Sequence, residues 1–580
     1  MPKRISIAVR SLVEFIFRSG SIDNRFGDFD RAYEGARIHR LLQKAGGANY
    51  QAEVTLSLEI DFGAYVLAVE GRADGIITDD EGVIVDEIKT TAAPFDIIAE
   101  DFSSLHWAQA ECYAYIYCVK NSLNNIRIRL SYYQVDTGEL IQFIKTYSAA
   151  TLESLFNMLI TAYKSWADMR YNWVETRNLS IKNLDFPFDS YRKGQKRLAA
   201  AVYRTVVNGG KLFCQAPTGI GKTISTLFPS IKALGEEKAE RIFYLTAKTI
   251  TRQAAESACL QMREKGLRIK SLTLTAKDKI CFMDTSRHEC NPEACPWADG
   301  FYDRVNEALY ELLDREDCFT REVIEEQARK HRLCPYEFSL ELALFCDCII
   351  ADYNYLFDPR VYLRRFFYNT AADYVFLIDE AHNLLDRARE MYSAELNKKA
   401  FMQLSRQLNK KDRLRKIMSD INKEMIELKK DCGEALHITK QSLNENLLKL
   451  LYDFISEYGE WSKINFRHPQ AQEVLELFFQ ALSFVKTADT YDSRFITIVD
   501  RSGGDLRVKL FCIDPSYLLS QRMKAGKAAI LFSATLTPLD YFTSVLGGDE
   551  NSDRLMLPSP FLRDNLCLLI ADKISTRYRD

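Results

Sequence analysis

Residues 209–228 read GGKLFCQAPTGIGKTISTLF. A short apolar run leads into a glycine-bearing loop, and a helical pattern follows. Ala216-Pro217-Thr218-Gly219-Ile220-Gly221-Lys222-Thr223 matches the P-loop pattern, with Ala where the strict form has its first Gly. Backbone N–H groups of such a loop point inward at phosphate oxygens, and the next helix adds its positive N-terminal end. Lys222 is placed to reach the β- and γ-phosphates, and Thr223 to offer its hydroxyl to Mg²⁺. The competing reading is a Gly-rich turn that matches by chance. The apolar run before it and the helix after it argue for a strand–loop–helix unit of an α/β sheet.

A second stretch, ADYVFLIDEAHNL at 372–384, is an apolar strand ending in Asp379-Glu380-Ala381-His382. Carboxylates at the C-terminal end of such a strand are well placed for metal and water chemistry. Asp379 is expected to hold Mg²⁺, and Glu380 to orient or deprotonate the attacking water. APTGIGKT, DEAH and Ser533-Ala534-Thr535 in ILFSATLTP together resemble motifs I, II and III of superfamily 2 helicases. SYRKGQ, with Arg192 and Gln195, resembles their adenine-contacting Q-type motif. RIFYLTAKTITRQ resembles motif Ia, which touches the nucleic-acid backbone.

Fourteen cysteines in a 580-residue chain with no clean signal peptide do not read as a disulfide framework. Four stand apart, spaced Cys281-x8-Cys290-x4-Cys295-x38-Cys334. Four thiolates suit tetrahedral Zn²⁺ or an iron–sulfur cube, and spacing does not separate the two. Their placement between the P-loop and DEAH resembles the XPD/DinG helicase family, whose first motor domain carries a [4Fe-4S] cluster on four cysteines. The resemblance gives that role to Cys281, Cys290, Cys295 and Cys334. Cys318, in the charged stretch DREDCFTREV read here as helical, is the rival ligand.

Hydrophobic content of 47% and charged content of 27% are ordinary for a globular protein. A net charge of −3 supplies no global basic field, so a nucleic-acid surface must be local. No apolar run approaches the roughly 18 residues that span a bilayer, and a cytoplasmic chain is expected.

The first 180 residues hold a second chemistry. EGRADGIITDDEGVIVDEIKTT at 70–91 reads as a hairpin turning at DDEG. Glu87 and Lys89, two apart on a strand, share a face. Asp74 is expected at the end of the partner strand nearby. Asp74 and Glu87 would take Mg²⁺ or Mn²⁺, and Lys89 would support developing charge. Asp86 is the rival of Glu87 but shares its face with Ile84 and Ile88, which places it inward. The set resembles the RecB-like branch of the PD-(D/E)XK nucleases. By that resemblance His39 in GARIHRLL is a further metal-site residue, and Gln109 and Tyr113 complete the pattern. The bland alternative is a surface ion pair and a structural histidine, or a fold without activity.

The expected architecture is α/β throughout. A restriction-endonuclease-like domain (1–180) precedes a RecA-like P-loop motor domain (181–545). The motor carries an iron–sulfur insertion (275–340) and a helical arch insertion (385–505), and a second motor domain begins at 546–580. In the arch, Lys410, Lys411, Arg413, Arg415 and Lys416 either contact phosphates or form a solvated face. After the SAT stretch about 45 residues follow, fewer than a second motor domain needs, and motifs V and VI find no match. The expectation is ATP and DNA binding with poor turnover unless a partner chain supplies the second lobe.

The function expected from these resemblances is an ATP-dependent DNA helicase. It would move 5′ to 3′ on single strands, engage forked or tailed duplexes in DNA repair, and carry a metal-dependent nuclease. A metal-dependent DNA nuclease with an ATP-gated clamp that does not unwind is the alternative. A non-catalytic DNA-binding or redox-sensing module is the third reading.

Overall fold

The computed structural model describes residues 3–23, 31–91, 95–135, 137–284, 290–367, 372–465, 468–501, 504–561, 564 and 567–570. The chain divides into two compact units. One is Met1–Leu179 with Thr275–Phe345, and the other is Ser180–Leu274 with Cys346–Asp580. The cysteine-bearing segment therefore groups with the N-terminal domain, although it interrupts the P-loop domain in sequence. Among the described residues no helix is long and apolar enough to cross a membrane.

The first unit is built on a mixed sheet. Lys3–Ala8, Tyr65–Asp79, Gly82–Thr91, Asn125–Gln134 and Leu140–Ser148 lie side by side in that order, and Tyr50–Asp61 also pairs with Tyr65–Asp79. Gly82–Thr91 runs antiparallel to Tyr65–Asp79 and parallel to Asn125–Gln134. Its middle, Ile84 to Ile88, is buried on both faces, so a near-continuous apolar run carries two acidic residues inside. The helix Ser104–Asn121 packs on this sheet. Ser103 caps it, its side chain accepting from the His106 N–H at 3.4 Å, and Ser122 in the left-handed region ends it.

The second unit has a parallel sheet. Its strands run in the order Ser271–Thr273, Cys348–Ala351, Arg241–Leu245, Ala372–Asp379, Gly526–Ser533, Gly210–Gln215 and Asp553–Met556. Arg241–Leu245 and the last six residues of Ala372–Asp379 are fully buried, as expected for strands covered on both faces. Leu212, Cys214, Ile242, Tyr244, Val375, Leu377, Ile530 and Phe532 form its core with the helices Gln195–Asn208 and Lys222–Gly235.

Between DEAH and SAT lie the helices Lys398–Gln407, Arg413–Asp431, Glu445–Asn465 and Ala471–Asp489. They share a core with a four-stranded antiparallel sheet of Ala394–Asn397, Arg507–Cys512, Phe495–Asp500 and His437–Lys440, in that order. The helical expectation for this insertion omitted the sheet. RVKLFC and FITIVD alternate buried and half-buried residues, a period-2 signal.

Candidate functional sites

Three motifs converge at the C-terminal ends of three adjacent parallel strands. Gly210–Gln215 feeds the P-loop, Gly526–Ser533 ends at the SAT stretch, and Ala372–Asp379 ends at DEAH. Main-chain bonds tie the ends together: Ala216 N–H donates to Ser533 O at 2.9 Å, and Ala381 N–H to Phe532 O at 3.1 Å. A parallel α/β sheet places ligands at this edge.

The loop is shaped by backbone that only glycine enters freely. Gly219 and Gly221 have φ of 82° and 76°, and a Cβ on Gly221 would fall 2.5 Å from Gln195 Nε2. Gln195, 3% exposed, accepts from the Arg192 N–H at 2.8 Å, and the Arg192 guanidinium donates to Gly219 O at 2.7 Å. Arg192 and Gln195 therefore brace the loop in this structure. Lys222 and Thr223 open the helix Lys222–Gly235, whose N-terminus faces the loop.

Asp379 is 3% exposed. Its Oδ2 accepts from the Tyr244 hydroxyl at 2.5 Å and its Oδ1 from the Glu380 N–H at 2.7 Å. Burial pushes Asp379 up to about 6 against the pull of the Tyr244 hydrogen bond, with the Glu380 charge adding to the rise and Lys222 opposing it. Glu380 sits at φ 49°, a strained position for a non-glycine residue. The Tyr353 hydroxyl, donating to the Asp379 and Glu380 carbonyls, helps to hold it there. Ser533 Oγ lies 2.6 Å from His382 Nδ1 and 3.3 Å from Glu380 Oε2, which links the SAT and DEAH stretches directly. Burial lowers the His382 pKa, and Lys248 and Lys222 add to that. Tyr244 and Tyr353 escaped the sequence reading because a tyrosine in an apolar run looks like core.

In the first unit, the ladder between Tyr65–Asp79 and Gly82–Thr91 ends at Gly75 opposite Asp86. Asp74 thus lies within a longer strand than expected, at the point where the ladder stops. Its Oδ2 takes the Ile88 N–H at 2.7 Å in place of a main-chain partner. Its Oδ1 lies 3.2 Å from His39 Nδ1. Lys89 Nζ donates to Glu87 Oε1 at 2.7 Å and to Gln109 Oε1 at 3.0 Å. Tyr113 lies one turn from Gln109 on the helix Ser104–Asn121 and is buried. Burial pushes Glu87 up to about 7, Lys89 holds it down, and Asp74 raises it further. Glu87 Oε2 is buried without a hydrogen-bond partner, an arrangement that fits a cation ligand. Arg10 pairs with Glu14, one helical turn on, at 2.6 Å.

Asp86 points the other way, into a buried network. Arg129 grips it with two hydrogen bonds of 2.8 and 2.9 Å, and Ser131 and Tyr50 donate at 2.8 and 3.0 Å. Its partners make Asp86 structural.

The cysteines Cys281, Cys290, Cys295 and Cys334 share one neighbourhood: Cys295 senses Cys290 and Cys281, and Cys334 senses Cys281. Burial pushes Cys334 up to about 12. Cys318 occupies the short strand Cys318–Phe319, which corrects the helical reading of its surroundings. Among the described residues no three His, Cys, Asp or Glu side chains are drawn together closely enough to hold a metal ion as they stand.

The basic run of the second insertion is partly engaged in structure. Arg415 donates to Leu408 O at 2.8 Å, and Arg413 pairs with Glu457 at 3.3 Å. Lys410, Lys411 and Lys416 remain exposed.

Residues 240–401 match the DEAD_2 family model. The curated relatives include XPD helicases and regulator of telomere elongation helicase 1 proteins. The helicase subunit XPD of the general transcription and DNA repair factor IIH from Dictyostelium discoideum is 24% identical over 293 residues, covering 46% of this chain and 36% of that protein. The ATP-dependent DNA helicase XPD of Sulfolobus acidocaldarius is 23% identical over 370 residues, covering 62% of this chain and 61% of that protein. A solved XPD helicase structure aligns over 64% of this chain and 62% of its own, with 19% identity and a TM-score of 0.43. The chain thus spans about a third of the first relative and under two thirds of the second.

Proposed function

We propose that this chain is an XPD-like, ATP-dependent DNA helicase with a metal-dependent nuclease site in its N-terminal domain. The observation that carries the helicase reading is the meeting of the P-loop, SAT and DEAH stretches, through Ala216 N–H to Ser533 O at 2.9 Å and Ser533 Oγ beside His382 and Glu380. Lys222 and the loop N–H groups would bind the β- and γ-phosphates. Thr223 and Asp379 would hold Mg²⁺, which supplies charge neutralisation to the transferring phosphoryl group. Glu380 would orient the attacking water and take its proton. Ser533, joined to both His382 and Glu380, would report hydrolysis to the nucleic-acid-binding motifs.

In the N-terminal domain Asp74, Glu87 and His39 would hold Mg²⁺ or Mn²⁺, which activates water for phosphodiester hydrolysis. Lys89 would orient Glu87 and support charge on the phosphate. Cys281, Cys290, Cys295 and Cys334 would carry a [4Fe-4S] cluster, and unpaired DNA entered 5′ to 3′ would be the substrate. The alternative, a nuclease with an ATP-gated clamp, draws on one observation: Glu87 Oε2 is buried with no hydrogen-bond partner, a want that a cation would meet.

Separate Lys222→Ala and Asp74→Ala variants test the two readings. Under the helicase reading, Lys222→Ala abolishes ATP hydrolysis and unwinding of tailed duplexes, while Asp74→Ala abolishes only cleavage. Cleavage that survives Lys222→Ala, with no unwinding by the wild type, favours the clamp. Iron and acid-labile sulfide in anaerobically purified protein, lost in Cys295→Ser, test the cluster.

A further inference from the structure

The chain beyond the SAT stretch returns to the P-loop. The strand Asp553–Met556 is the last of the parallel sheet and pairs with Gly210–Gln215, Met556 lying opposite Gln215. Both strands therefore end together, where the P-loop begins. Leu557 N–H donates to Gln215 O at 3.0 Å, one step past the ladder. The Leu557 side chain is buried in the same core as Ile220 and Ile224. A Cβ built on Gly194 would meet Ile220 at 3.1 Å and Leu557 at 3.8 Å. This leucine thus anchors the returning chain beside both the P-loop and the turn that carries Arg192 and Gln195.

Pro558-Ser559-Pro560-Phe561 then lies against the loop. The two prolines fix their own φ and hold the residues before them extended, which makes a stiff strap. Phe561 N–H donates to Ser559 Oγ at 3.2 Å. A Cβ on Gly219 would fall 2.8 Å from Phe561 Cζ and 3.0 Å from its Cε2, with Pro560 Cγ at 3.8 Å. The edge of the ring therefore rests on bare glycine, and a side chain at 219 would displace it. Gly219 O is also the atom that the Arg192 guanidinium grips at 2.7 Å. One glycine of the phosphate loop thus holds a phenyl ring and a guanidinium, and both are open to solvent. Phe561 is 65% exposed, so the ring adds little to the core for the stiffness spent in placing it.

We propose that Phe561 is the base-stacking residue of the nucleotide site, and that the base leaves the phosphate cradle over Gly219 to lie on this ring beside Arg192. The role rests on the ATP reading above. A nucleotide whose phosphates sit in the loop must carry its ribose and base out over the rim. At Gly219 the rim offers an aromatic ring and a guanidinium plane, the two kinds of side chain on which bases stack. Stacking accepts any base and grows with the size of the ring system. The site therefore favours purine over pyrimidine nucleotides, and the phosphates alone gain nothing from it.

Calorimetric titration of the full chain with Mg²⁺ and ATP, CTP or inorganic tripolyphosphate tests this, in wild type, Phe561→Ala, Phe561→Leu and Phe561→Trp. Phe561→Ala should raise the ATP Kd about tenfold, the size of one lost base–aromatic stack. It should raise the CTP Kd less and leave tripolyphosphate binding unchanged, which also shows that the loop is intact. Phe561→Leu keeps apolar cover without a π face and should lose ATP affinity as well, whereas Phe561→Trp should retain it. Wild-type ATP affinity in Phe561→Ala or in Phe561→Leu overturns the stacking role. An equal loss of ATP and tripolyphosphate overturns it too, since the strap then only shapes the loop. Tighter binding of both overturns it in favour of a plug over the loop. If the wild type binds neither ATP nor tripolyphosphate, the ATP reading itself fails and the stacking role falls with it.

Discussion

The Tyr244 hydroxyl lies 2.5 Å from Asp379 Oδ2, and both side chains are buried. A neutral donor on a buried carboxylate fixes the orientation of that carboxylate. A Phe at this position would keep the packing and leave one carboxylate oxygen without its donor. Tyr244→Phe should lower kcat for DNA-stimulated ATP hydrolysis by about ten- to a hundredfold, equivalent to about 1.5–3 kcal/mol for a hydrogen bond to a charged group. The half-saturating Mg²⁺ should rise and nucleotide affinity should change little. Steady-state ATPase at varied Mg²⁺, with nucleotide binding measured separately, checks this.

Glu380 holds its strained backbone under two carbonyl contacts and points its carboxylate at Ser533. Glu380→Gln preserves shape and removes the base. ATP turnover should fall by about 10²-fold or more while ATP binding persists. Rapid-quench hydrolysis and equilibrium nucleotide binding separate the two effects.

Asp86 and Glu87 are adjacent and both buried, yet their partners assign them opposite work. Asp86→Ala strands the Arg129 charge in the interior and should destabilise the N-terminal domain by about 3–5 kcal/mol. Glu87→Gln relieves a carboxylate that is costly to ionise, so stability at neutral pH should hold or rise while cleavage disappears. Chemical denaturation of the two variants, with a cleavage assay on Glu87→Gln, distinguishes these outcomes.

His106 is packed against Tyr132, its Nδ1 at 2.9 Å from the phenol oxygen. Burial drives its pKa down to about 3, and Lys89 and Arg10 push the same way. The folded state therefore refuses a proton that the unfolded chain accepts below its ordinary value of 6.5. Stability is full above that value and is lost as pH falls toward 3. The slope is about 1.4 kcal/mol per pH unit, so about 2 kcal/mol should be gone at pH 5. Denaturation midpoints at pH 7.5 and 5, in wild type and His106→Asn, measure it. The variant should lose this part of the pH dependence.

The P-loop, DEAH and SAT stretches were legible because each is a contiguous run whose chemistry is local: glycines that turn, a lysine that follows, acids that end an apolar strand. In GVIVDEIKTT the pattern expected only Asp86 inward with Ile84 and Ile88, but the strand is buried on both faces and Glu87 is inward as well. Other features were not legible. Tyr244 acts through a neighbour more than a hundred positions away in sequence. Arg415, read as a phosphate contact or a solvated charge, is tied to a carbonyl seven residues back. The antiparallel sheet of the second insertion was masked by the long helical patterns beside it.

The sequence by itself determined which residue types stand in each motif and in what order, because spacing along a strand or loop is covalent. Only the tertiary structure decided which motifs meet. The burial of Asp379 against Tyr244, the unpaired oxygen of Glu87 and the grouping of the cysteine segment with the N-terminal domain all arise from long-range packing. The hydrophobic drive behind that packing is non-directional, so the chain's local pattern does not encode its partners.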